Sequence, residues 1–172
     1  MATFKGEMMT DPRNRTVWTI LRENALQILM YLLGTVITAL LWWPLGVIYL
    51  AYSLFSNYLY MVLICPYCGH YGLHTCAAGF DILSGGRFKP RPGRTFGAEY
   101  RRWVWVLFPG WFLPPLMALY LLVTAFSWWL LALLVLFCVV AFWLLPEASK
   151  KHCDGCETVD CPRRPKDKKA AK

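Results

Sequence analysis

Residues 25–64, ALQILMYLLGTVITALLWWPLGVIYLAYSLFSNYLYMVLI, hold no Lys, Arg, Asp or Glu over 40 consecutive positions. One helix crosses about 30 Å of hydrocarbon with about 20 residues, so the stretch is twice as long as one crossing requires. It predicts two helices, Ala25 to Trp43 and Leu45 to Ile64, folded back at Trp42-Trp43-Pro44-Leu45-Gly46. Proline is excluded from a helix interior but suits a turn, and a Trp pair suits the membrane–water interface.

A second charge-free stretch, residues 103–146, runs for 44 positions and divides in the same way at Ala125-Phe126-Ser127-Trp128-Trp129. It predicts helices from Trp111 to Phe126 and from Trp128 to Leu145. Pro109, Gly110, Pro114 and Pro115 break the start of the third helix. Residues 98–108 (AEYRRWVWVLF) are therefore read as an alternative interfacial segment, with Tyr100, Trp103 and Trp105 at headgroup level. The fold class expected is an all-α integral membrane protein of four transmembrane helices arranged as two hairpins, with an irregular cytoplasmic Cys/His metal-binding region.

The composition fits this reading, since 58% of the 172 residues are hydrophobic and 16% charged, outside the range of a soluble domain. The 18 Lys and Arg against 10 Asp and Glu, a formal charge of +8, would otherwise suggest nucleic acid. Their placement supplies another cause. Four precede Ala25, six lie between the charge-free stretches and eight follow Pro146. Hairpins bring those three segments to one side, and the positive-inside rule makes that side cytoplasmic. Both termini are expected there, in a multi-pass protein of the cell membrane with no nucleic-acid partner.

The organisation expected is thus a juxtamembrane segment (1–24), hairpin 1 (25–64), a Cys/His and basic loop (65–102), hairpin 2 (103–146) and a Cys-rich basic tail (147–172). The first segment carries charges where a signal peptide would be apolar, so it is read as cytoplasmic. Within it, residues 16–23 (TVWTILRE) suit a short amphipathic helix with Val17, Ile20 and Leu21 inward. No charged residue lies at membrane depth, which argues against an ion or proton pathway within one protomer. Asn57, Ser53, Ser56, Thr35, Thr38 and Thr124 are expected to serve interhelical hydrogen bonds and close packing around Gly34.

The residues capable of chemistry lie at the predicted cytoplasmic face. Six of seven Cys and all three His fall in residues 65–76 (CPYCGHYGLHTC) and 152–161 (HCDGCETVDC). Cys138 is apart, within the fourth helix, and reads as a small buried hydrophobe. A reducing compartment disfavours disulfides, whereas two Cys separated by two residues present both sulfurs to one metal ion from a tight turn. The candidate ligands are Cys65, Cys68, His70, His74, Cys76, His152, Cys153, Cys156 and Cys161. One grouping, Cys65, Cys68, Cys153 and Cys156, would staple the two hairpins together. Segment-local sets are the alternatives: Cys65, Cys68, His74 and Cys76, or His152, Cys153, Cys156 and Cys161.

The string Cys65-Pro66-Tyr67-Cys68-Gly69 resembles the knuckle of zinc-ribbon and rubredoxin-type sites, where Gly lets backbone N–H groups turn toward sulfur. Zinc is the expected cofactor, because it accepts both N and S ligands and needs no redox partner. An iron–sulfur cluster is the alternative, since Cys161-Pro162 resembles the ferredoxin habit of Cys before Pro. The expected role is non-enzymatic: an accessory or assembly subunit of a membrane complex, whose partners are other membrane subunits or a second copy, together with anionic lipid headgroups. A membrane-surface redox protein is the alternative. An enzyme acting on a lipid-like substrate, with Asp154, Glu157, Asp160 or Glu99 as base to a metal-bound water, is a weaker one.

Overall fold

A computed structural model describes Val17–Cys68, Tyr71, Phe88, Lys89 and Gly93–Cys153, with backbone only at Val17, Thr19 and residues 151–153. Every regular element among the described residues is helical. Helix α1 (Val17–Glu23) leads into α2 (Ala25–Leu41), and α3 (Trp43–Leu63) is closed by a 3-10 turn at Cys65–Tyr67. The second half begins with α4 (Phe96–Trp103), passes through a 3-10 stretch (Val104–Leu107) and continues as α5 (Phe108–Thr124). The last part is α6 (Trp128–Cys138), a π-helical stretch (Val139–Leu144) and α7 (Leu145–Cys153).

Three continuous helical stretches are long and apolar enough to cross a membrane: Trp43–Tyr67, Phe96–Thr124 and Trp128–Lys150. Helix α2 is apolar but shorter, at 17 residues. Its approach is nearly unbroken, because Asn24 donates its N–H to Ile20 O (3.0 Å) and accepts from Ile28 N–H (2.9 Å).

Both chain reversals fall where the Trp pairs lie. Trp42 adopts an extended backbone that ends α2, and Pro44 occupies the first turn of α3, where no N–H is needed. Thr124 ends α5, Ser127 is extended, and Leu131 N–H returns to Ser127 O at 3.0 Å to start α6. Trp43, Trp128 and Trp129 are 71–83% exposed, as interface residues are.

One expectation is corrected. The third helix begins at Phe96, well before Trp111, with Pro109 in the first turn of α5 and Pro114 and Pro115 inside it. Pro114 has no N–H to give to the Gly110 carbonyl four residues earlier, and the Tyr49 hydroxyl of α3 donates to that carbonyl at 2.8 Å. A bond from another helix thus keeps this one continuous. The short helix expected within residues 16–23 forms as α1, with Ile20 half-buried and Leu21 exposed.

Helix α2 is the hub. It packs against α3 on one side and against α5, α6 and the π-helical stretch on the other, while α3 and α6–α7 share no extensive contact. Met30, Leu33 and Ile37 of α2 meet Ala118 of α5 and Leu130, Phe137, Val140 and Ala141 of the last helix in one buried cluster. Small residues set the α2–α3 distance. A Cβ at Gly34 would meet the Tyr49 ring at 2.6 Å, and one at Gly46 would lie 2.7 Å from Ala39 Cβ and 3.0 Å from Thr35 O. Lipid offers helices no hydrophobic reason to associate, so such close van der Waals fits hold them together. The outward faces carry large apolar residues such as Leu116, Val123 and Trp143, which in water would be an aggregation surface.

Candidate functional site

The first candidate ligands sit where α3 stops. Ile64 is fully buried, Tyr67 N–H returns to Ile64 O (3.1 Å), and Cys68 N–H returns to Cys65 O (2.9 Å). Pro66 suits this turn because its missing N–H falls at a position that needs none. Cys65 and Pro66 are buried and Cys68 is half-buried. A further turn closes with Tyr71 N–H on Cys68 O at 3.0 Å. The two thiols are therefore carried on consecutive tight turns at the end of α3, and the 3-10 turn packs on α4.

Helix α7 ends at Cys153 and carries His152, both with backbone described only. His70, His74, Cys76, Cys156 and Cys161 lie outside the described residues, as do Asp154, Glu157 and Asp160. Among the described residues, no three His, Cys, Asp or Glu side chains come together as a metal-holding group. Cys138 is half-buried at the end of α6, apart from the Cys65–Cys68 turn.

Glu99 is the buried carboxylate of the described residues, at 5% exposure, in the first turn of α4. Arg94 donates to its Oε1 at 2.7 Å and the Trp103 indole N–H to its Oε2 at 3.0 Å. With both oxygens engaged, Glu99 clamps Arg94 and Trp103 at the start of the Phe96–Thr124 stretch.

A second polar group lies between α2 and α3. Gln27 Nε2 donates to Tyr31 Oη and to Asn57 Oδ1, each at 2.8 Å. Asn57 Nδ2 donates to Ser53 O at 2.7 Å and also reaches Tyr31 Oη. Sequence reasoning passed over Gln27, although the signal was present. Gln27 and Asn57 are equally far in sequence from Trp42, so an antiparallel hairpin that turns there sets them at one depth. Thr35, Thr38, Ser56 and Thr124 instead bond carbonyls of their own helices, contrary to the interhelical role expected of them. Phenol hydroxyls make further bonds between elements: Tyr49 to Gly110 O, and Tyr52 to Val106 O at 2.7 Å.

Fold and site together define a class, an all-helical protein with three apolar helices long enough to span a membrane and a CxxC turn at the end of one of them. No protein-family model, curated protein or solved structure matches the chain.

Proposed function

We propose that the chain is a small multi-pass protein of the cell membrane that crosses four times as two hairpins. Both termini and the two Cys/His segments face the cytoplasm, where a zinc centre staples the hairpins and forms a docking surface for other membrane subunits or a second copy. The observation that carries this reading is the pair of consecutive turns that present Cys65 and Cys68 at the end of α3. Two cysteines held this way supply half of a tetrahedral site, and Cys153, the last residue of α7, belongs to the second CxxC pair.

The packing gives such a centre a purpose. Helices α3 and α6 lie against α2 without extensive contact with each other, and α7 continues from α6 through the π-helical stretch, so an ion shared by Cys65, Cys68, Cys153 and Cys156 would tie together elements that packing leaves apart. Structural zinc sites contribute about 10–16 kcal/mol at pH 7 in small peptides, far more than one interhelical hydrogen bond. The basic segments on the same side fit a surface that rests on anionic headgroups.

Metal analysis of the detergent-purified protein tests the reading. Colourless protein with stoichiometric zinc supports it. Brown protein whose visible absorption is bleached by dithionite would replace the zinc centre with an iron–sulfur one, and metal-free protein would remove the centre altogether.

A further inference from the structure

The third span carries a row of rings on its outward face that ends in two guanidinium groups. Trp105, Phe108 and Phe112 are 65%, 38% and 46% exposed and recur at the helical repeat. Their successive ring centroids lie 4.8 Å and 5.6 Å apart, and Phe142 of the last helix extends the row at 5.8 Å from Phe112. Arg101 and Arg102 are exposed one turn before Trp105. Arg102 lies 5.5 Å above the Trp103 ring. Neither arginine has a carboxylate within ion-pair distance among the described residues; the nearby Glu99 is bonded to Arg94 and Trp103.

We propose that this strip is a binding site for an anionic glycerophospholipid, with the phosphate on Arg101 and Arg102 and one acyl chain along Trp105, Phe108, Phe112 and Phe142. The charge pattern selects the occupant. A ligand that fits must be anionic at one end and hydrocarbon beyond it. From Arg102 to Phe112 the helix rises about 15 Å, half the hydrocarbon thickness of a bilayer and so the depth of one leaflet. Arg forks bind phosphate oxygens in pairs, which favours a lipid phosphate over a zwitterionic headgroup whose charge is cancelled nearby. The proposal rests on the membrane placement given above and is independent of the metal centre.

Native mass spectrometry of the full-length protein, titrated with dioleoyl phosphatidylglycerol or dioleoyl phosphatidylcholine, tests it. The anionic phosphatidylglycerol should be retained about tenfold better, and the Arg101→Gln/Arg102→Gln double variant should lose that preference. Phe112→Ala should weaken both lipids, and Lys150→Gln should change neither. Free glycerol phosphate should fail to displace the lipid. Equal retention of the two lipids by the wild type, or an unchanged preference in the double variant, overturns the proposal. So does displacement by free glycerol phosphate, or a dimer that occupies the strip and is lost in Trp105→Ala. If the double variant aggregates, high salt on the wild type decides: loss of the preference supports the site, and a salt-insensitive preference overturns it. Carbonate extraction of the same membranes separates the two failures, since an extractable protein contradicts the membrane placement and an inserted protein without preference contradicts only the lipid site.

Discussion

The Tyr49 hydroxyl shows how one side chain supports a helix to which it does not belong. Gly110 O lacks its usual donor because residue 114 is proline, and Tyr49 supplies one at 2.8 Å from α3. Tyr49→Phe should cost about 1 kcal/mol of unfolding free energy in mixed micelles. In a Pro114→Ala background, which restores a backbone N–H able to donate to Gly110 O, the same change should cost close to nothing. Equal costs in both backgrounds would mean that the bond does not replace the missing one. Gly34 is the other half of this contact, since the Tyr49 ring occupies the space of a Cβ. Gly34→Ala should therefore destabilise by about 1–3 kcal/mol, read as a lowered thermal midpoint in detergent, and an unchanged midpoint would contradict the packing. Neither effect could be read from sequence, where Tyr49 is one of nine tyrosines and its partner lies 61 residues away.

At the scale of elements, both hairpin turns were legible: Trp42 to Gly46 combines Pro and Gly with a Trp pair, Ala125 to Trp129 sets a Trp pair near the middle of the second charge-free stretch, and the helices reverse at those points. The start of the third helix was not. Four glycine and proline residues argue locally for a break, and the bond that cancels the argument comes from another helix. The Arg94–Glu99–Trp103 clamp fixes the first turns of that helix. Glu99→Ala should lower the thermal midpoint in detergent by leaving Arg94 and the Trp103 N–H without their shared acceptor, and an unchanged midpoint would show that the clamp does not hold those turns.

For the whole molecule, the two charge-free stretches made an all-helical fold of apolar helices legible; three of the four expected are long enough to span a membrane and α2, at 17 residues, is shorter. That α2 is the hub was not legible, because all four apolar helices look alike in composition and only packing separates them. The candidate metal ligands were readable as spacing. The structure places Cys65 and Cys68 on consecutive turns at the end of α3, while His70, His74, Cys76, Cys156 and Cys161 lie outside the described residues. The central claim is that one ion joins the ends of α3 and α7. Metal content of purified wild type, Cys65→Ser and Cys153→Ser tests it most directly. One zinc lost in each variant is the predicted result, and full retention in either variant would contradict a shared site.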